Sequence, residues 1–220
     1  MKAKLIAYTP NPDMVVYKAA RTCYQAGTID DIAEPTQEQL EKFIRGLMKS
    51  GHHSPIEHIS FTFAVEGISR VVSHELVRHR IASYSQQSQR YVNYRDKSIE
   101  EDMYIPQEIE SLPAASAVYK KAIAHAMCAY KTLVALGIKP QDARYVLPNA
   151  TPTQVICTMN ARTLLNFFGL RCCRRAQPEM QELAFAMLAE VKKVAPVIFA
   201  TAGRQCSTCT EAHRPKECAK

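Results

Sequence analysis

The side chains best equipped for chemistry are concentrated in one stretch, Arg78-His79-Arg80-Ile81-Ala82-Ser83-Tyr84-Ser85-Gln86-Gln87-Ser88-Gln89-Arg90-Tyr91. It combines cations, an imidazole, hydroxyls, amides and two aromatic rings. Consecutive helical residues point about 100° apart, so Arg78, His79 and Arg80 cannot share one solvated helix face. That suits a target gripped from several directions, such as a diphosphate or two neighbouring anions. Arginine fits the task because its planar fork binds phosphate oxygens bidentately and stays charged at any working pH. Ser88 and Arg90 add a hydroxyl donor and a further cation. The competing readings are an exposed basic loop and, with Tyr84, Tyr91 and Tyr94 among the cations, a nucleic-acid-binding module.

Three further arginines, Arg144, Arg162 and Arg171, fall in apolar or helical settings. Half-buried arginine is costly unless it meets an internal carboxylate or an anionic ligand. Several arginines in separate contexts, converging on amide-rich segments, favour the ligand and argue against nucleic acid as the partner.

Arg78-His79-Arg80 followed after seven residues by Ser88 resembles the signature of the flavin-dependent thymidylate synthases. Gly51-His52-His53-Ser54-Pro55-Ile56-Glu57-His58, the run Asn160-Ala161-Arg162 followed by Asn166, and Leu170-Arg171 resemble that family's other blocks, in its order. The resemblance implies reductive methylation of dUMP to dTMP, with methylenetetrahydrofolate as carbon donor and FAD, reduced by NADPH, as hydride source. It implies that Ser54, Arg78, His79, Arg80, Gln86, Asn160, Ala161, Arg162 and Asn166 contact FAD. It places dUMP against Glu75, Leu76, Val77 and Arg78, against Gln86, Gln87, Ser88, Gln89 and Arg90, and against Arg144 and Arg171. His52 and Tyr91 would lie toward the folate. Sites in this family are assembled from several subunits, which implies a homotetramer. Two positions depart from the pattern: Gln86 stands where members often carry an acid, and Pro178 replaces a tryptophan common after Ala176-Gln177.

The chemistry agrees with that resemblance. Without a cysteine attacking C6, the uracil ring must be made electron-rich another way. A cation near its N3-C4-O4 edge stabilises developing negative charge, and preorganised electrostatics is usually the largest catalytic contribution. Arg171 is the candidate. Ser88 has no base at a recognisable triad position, which favours phosphate binding over nucleophilic attack. No cysteine sits in a recognisable nucleophile motif. A flavoprotein reductase without methyl transfer would leave Arg144 and Arg171 unused.

These residues need elements to position them. Lys4 to Tyr8 reads as an opening strand, and Asn11-Pro12-Asp13 as the start of a helix reaching Tyr24. Thr36-Gln37-Glu38-Gln39 is a capping box for a helix stopped at Gly51, and Ser54-Pro55-Ile56-Glu57 predicts a second one. Ile59, Phe61, Phe63 and Val65 alternate with polar or small residues, a half-buried strand pattern ending near Gly67. Ser69 then caps a helix expected to carry Arg78 to Arg80 in its last turn, with the polar run to Tyr94 as loop leading into strand. Helices are expected from Pro113 to Leu136, after Lys139-Pro140-Gln141 with Arg144 aboard, from a capping Asn160 onward, and from Pro178 to Val194, with a strand at Val155 to Met159. No repeat or linker divides the chain. One mixed α/β domain over 1–220, a small central sheet flanked by helices, fits this order.

At 220 residues and 47% hydrophobic content the chain can bury a substantial core and is not a disordered one. No apolar run reaches membrane-spanning length and no signal peptide is evident, which points to the cytoplasm. The net charge of +7 favours anionic partners. Eight cysteines in such a compartment read as thiols or metal ligands. In the tail at about 203–220, Cys206, Cys209, His213 and Cys218 could form a structural zinc site that clamps the tail and holds Arg171 in place, or Cys172 or Cys173 could supply a ligand instead; the alternative is free thiols or a disulfide.

Overall fold

The computed structural model describes residues 1–95, 101–206, 209, 210 and 218. Four strands, β1 (Lys2–Tyr8), β2 (Ser60–Ser69), β3 (Ala82–Gln86) and β4 (Pro152–Asn160), form one sheet in the order β1-β2-β4-β3. The alternation seen in the sequence is the sheet's two faces. Phe61, Phe63 and Val65 of β2 are buried, as are Thr153, Val155, Cys157 and Met159 of β4. The intervening Ser60, Glu66, Gln154 and Ile156 are exposed.

The helices are α1 (Pro12–Thr22), α2 (Gln37–Lys49), α3 (Arg70–Leu76), α4 (Gln107–Glu110), α5 (Pro113–Ala135), α6 (Pro140–Ala143), α7 (Ala161–Arg171) and α8 (Pro178–Val194). Their starts follow local chemistry. Thr36 and Gln39 close a reciprocal capping box on α2. The Ser69 hydroxyl accepts from the Val72 N–H at 3.1 Å, and Asn160 Oδ1 accepts from the Thr163 N–H at 2.9 Å. Gly51 and Gly137 take left-handed φ values of 73° and 89° just past α2 and α5, where a side chain would be strained.

The chain divides into two compact units. The first comprises Met1, Val65–Arg78 and Ser85–Val155, and the second Lys2–Ala64, His79–Tyr84 and Ile156–Lys220. In the first, Tyr94, Met103, Ile123, Met127, Tyr130 and Ala143 form the core, and the Tyr130 hydroxyl accepts from the Tyr94 N–H. In the second, edge-on aromatic contacts run from Phe61 to Phe199, Phe168, Phe167 and finally His79. Aromatic quadrupoles favour such edge-to-face packing. Among the described residues no helix is long and apolar enough to cross a membrane.

Four local expectations are corrected. Helix α3 ends at Leu76, so Arg78-His79-Arg80 lies in the bend after it and not in its last turn. Strand β3 comes before the polar loop and not after it. Strand β2 continues through Gly67, whose φ of 70° is accommodated inside the strand, to Ser69. Pro55–His58 is a 3-10 turn in which the Ser54 side chain makes no capping bond: Ser54 has helical φ and ψ of -61° and -39°, and the Glu57 N–H goes to its carbonyl.

Candidate active site

Placing the triplet in a bend separates its members. Arg78 and Arg80 are exposed while His79 is only 6% exposed. Burial of the imidazole follows from α7, where Phe167 and Arg171, four residues apart, share a face. Phe167 meets the His79 ring edge-on at 4.9 Å, and Arg171 Nε donates to His79 Nε2 at 2.8 Å. The Tyr84 hydroxyl donates to the His79 carbonyl at 3.1 Å. Burial, then the Arg171 charge, pushes the His79 pKa down to about 4. The imidazole is therefore neutral at working pH, with Nε2 as acceptor.

The other expected cofactor residues of the second unit are Ser54, Asn160, Ala161, Arg162 and Asn166. Ser54 and Asn166 are exposed. Arg162, also exposed, is ion-paired with Glu57. Asn160 is occupied as the helix cap, and Ala161 is fully buried with its N–H donated to the Ile59 carbonyl at 3.0 Å. His52, expected toward the folate, is exposed just beyond α2.

Most residues expected to hold the nucleotide fall in the first unit. The Ser88 hydroxyl accepts from the Arg90 N–H at 3.2 Å, shaping the turn that presents both. Gln141 joins two arginines: its Oε1 accepts from Arg90 at 3.4 Å, and its carbonyl from Arg144 Nε at 3.1 Å. Gln87 is anchored by the Tyr94 hydroxyl at 3.2 Å. Gln86 Nε2 donates to the Thr153 hydroxyl at 3.4 Å, a bond an ionised acid could not donate. Gln89 is half-buried, and Tyr91 is 80% exposed beneath the Arg90 guanidinium. Of the helical segment, Glu75 is half-buried, Leu76 is fully buried and Val77 is the C-cap of α3.

Two participants went unrecognised in the sequence. Gln141 is one. Arg70 is the other: its guanidinium reaches the Gln87 carbonyl at 3.5 Å, and burial, with Arg144 as a neighbouring like charge, lowers its pKa. Polar residues at the start of short helices carry no spacing signal that would have marked either. Among the described residues, Arg78, Arg80, Arg90 and Arg144 have no carboxylate partner. Cations not neutralised by an acid are what an anionic ligand requires.

The tail zinc site finds no support. Among the described residues no group of three or more His, Cys, Asp or Glu side chains could hold a metal ion, and His213 lies outside them. Cys206, Cys209 and Cys218 are half-buried, and among the described residues none of them forms a disulfide.

A sheet-and-helix protein whose arginines meet no acid among the described residues, and whose amides are anchored, has the make-up of the class that binds nucleotide-like anions. Residues 4–197 match the family described as "Thymidylate synthase complementing protein". The chain is 48% identical to the flavin-dependent thymidylate synthase of Geobacter sulfurreducens, over 94% of its own length and 89% of the relative's. It is 47% identical to that of Clostridium tetani, over 94% and 88%. Among solved structures, it resembles a UMP/dUMP methylase, PolB, from Streptomyces cacaoi bound with 5-Br dUMP, with a TM-score of 0.79 and 27% identity, covering 92% of this chain and 96% of that one. It also resembles the flavin-dependent thymidylate synthase ThyX from Helicobacter pylori complexed with FAD and dUMP, with a TM-score of 0.74 and 26% identity, covering 93% and 100%. The chain belongs to the flavin-dependent thymidylate synthase family.

Proposed function

We infer that this protein converts dUMP to dTMP, taking a one-carbon unit from methylenetetrahydrofolate, with FAD as cofactor and NADPH as reductant, as a cytoplasmic homotetramer whose sites are completed between subunits. The observation that carries the reading, beyond family membership, is the set of arginines with no acidic partner among the described residues. Arg78 and Arg80 are both exposed and, among the described residues, neither has a carboxylate partner, which suits the diphosphate of a dinucleotide. Ser54, Arg162 and Asn166 contribute exposed polar groups to the same cofactor. Asn160 and Ala161 act through the start of α7, and His79 and Gln86 through the backbone they shape.

When bound, the flavin supplies the hydride that reduces the transferred carbon. The protein's part is binding, orientation and electrostatics. Arg90 and Arg144, held by Gln141, grip the 5′-phosphate together with the Ser88 turn. Gln87 and Gln89 offer amides to the sugar and base, with backbone groups of Glu75 to Arg78 alongside. Arg171 presents its charge to the uracil edge and stabilises the negative charge that develops as C5 attacks the carbon donor. His52 and Tyr91 supply ring faces for the folate.

The test is optical. Titrating FAD into the purified protein should give a bound-flavin spectrum that NADPH bleaches, and Arg78→Ala and Arg80→Ala should each weaken FAD by about 1.5–3 kcal/mol, the worth of a charge-assisted hydrogen bond. A chain that never takes up flavin overturns the reading.

A further inference from the structure

His79 is too well enclosed to serve mainly as a surface for a ligand. Its ring lies against Phe167, its carbonyl receives the Tyr84 hydroxyl, and its Nε2 receives the Arg171 Nε–H at 2.8 Å. We propose that His79 is a positioning residue for Arg171: its neutral imidazole fixes the plane of the guanidinium and so aims the two terminal nitrogens.

A guanidinium is rigid and planar, so once Nε–H is committed to a fixed acceptor, the direction of both Nη nitrogens is set as well. The acceptor is itself fixed. The edge-on contact with Phe167 holds the ring, and Phe167 stands four residues before Arg171 on α7, so one helix face carries both the support and the group supported. Phe167 is in turn packed through Phe168 and Phe199 to Phe61 of β2, so the imidazole is the polar end of an aromatic chain rooted in the sheet. A positioned donor needs no reorganisation as charge develops, whereas a mobile one does. Arg171 itself is half-buried near the end of its helix, where an untethered long side chain would sample several rotamers. An imidazole suits this task only while unprotonated, because a cationic ring would repel Arg171 and lose its acceptor. Burial keeps it so.

The proposal rests on Arg171 acting at the uracil, and its test separates the two. Histidine ring nitrogens are observed by NMR in protein labelled with 15N-histidine. His79, assigned by its loss in His79→Phe, should show a protonated Nδ1 and a bare Nε2 down to pH 5, and Arg171→Met should release it to a tautomer mixture. A protonated Nε2 in the wild type overturns the proposal whatever the enzyme's activity. Kinetically, His79→Phe keeps the ring against Phe167 but offers no acceptor, and should lower kcat for dTMP formation at least tenfold, with flavin content intact and KM for dUMP within a few-fold. His79→Gln restores an acceptor near the Nε2 position and should recover most of kcat. Equal kcat for wild type and His79→Phe, or equal losses in Phe and Gln accompanied by loss of flavin, would contradict positioning. A wild type that makes no dTMP would sink the assigned reaction, while the tautomer measurement would still decide the hydrogen bond.

Discussion

Arg204 donates from Nε to the carbonyl of Cys172 at 3.1 Å, satisfying the helix-end group next to Arg171. The same side chain reaches Gln181 of α8 at 3.1 Å and lies over the Phe185 ring at 5.2 Å. The segment after α8 is thus fastened to the end of α7 by a guanidinium, the role a tail zinc site was expected to fill. Removing it in Arg204→Ala should cost about 1–2 kcal/mol, since the bond is charge-assisted but partly solvated. A loss of that size lowers Tm by about 2–8 °C in a chain of this length. A chelator should leave Tm unchanged. Thermal melts of both proteins, with and without chelator, check this, and a chelator-induced drop would restore the metal.

Glu57 and Arg162 give a second prediction. Their side chains are 44% and 57% exposed, so the pair contributes only about 0–1 kcal/mol to stability. Its weight falls on the cofactor, because Glu57 neutralises a cation assigned to FAD. Arg162→Ala should weaken FAD about tenfold, whereas Glu57→Gln should tighten it a few-fold, with neither shifting Tm appreciably. Parallel flavin titrations decide it. Weakening in both variants would mean that Glu57 orients Arg162 instead of competing for it.

Much of this arrangement was legible in the sequence where a local rule was strong. The Thr36 capping box, the Ser69 and Asn160 caps, and the alternation of Phe61, Phe63 and Val65 all set local geometry that tertiary packing left alone. The reading failed where a distant partner intervened. Ser54 adopts a helical backbone, so the expected capping box does not form, and the Glu57 carboxylate pairs with Arg162, far along the chain. His79 was drawn inward by Phe167 and Arg171, so the chain bends after Leu76 in place of a continuing helix. Gly67 looked like a stop because its positive φ is usual at strand ends, yet β2 runs through it. Pro178, a departure from the family pattern, sits at the first position of α8, where a missing N–H costs nothing, and Gln177 caps that helix. Site residues could be proposed from the sequence because arginines clustered with amides are conspicuous there by type alone. Arg70 and Gln141 were missed because their importance lies in what they touch.

The His79 environment predicts an acid limb in stability. Its folded pKa, about 4, lies below the ordinary value of 6.5, so the unfolded chain binds the extra proton first as pH falls. Stability is therefore complete above about pH 6.5 and is lost progressively toward pH 4, at up to about 1.4 kcal/mol per pH unit from this group. Denaturant melts of wild type and His79→Gln between pH 4 and 7.5 check it. The difference in slope should vanish above pH 7, and identical slopes throughout would show that His79 is not the group responsible.

Arg144 should matter to the phosphate specifically. Arg144→Ala is expected to weaken dUMP by about 1.5–3 kcal/mol, roughly tenfold to a hundredfold, and Gln141→Ala by a smaller factor. Deoxyuridine, which lacks the phosphate, should bind all three proteins alike. Calorimetric titrations with both ligands give the answer. An equal loss for deoxyuridine would move Arg144 from the phosphate to the base or sugar.

Formation of dTMP by this protein is tested by product analysis with mass spectrometry. Purified protein reconstituted with FAD is incubated with dUMP, methylenetetrahydrofolate and NADPH, alongside Arg171→Lys and samples lacking each component. dTMP is expected only in the complete wild-type mixture, with most of it lost in Arg171→Lys even though that variant keeps its charge and its flavin, because an ammonium cannot reproduce a planar fork against a planar base edge. Flavin-loaded wild type that oxidises NADPH but forms no dTMP, or Arg171→Lys that forms it at the normal rate, would contradict this expectation.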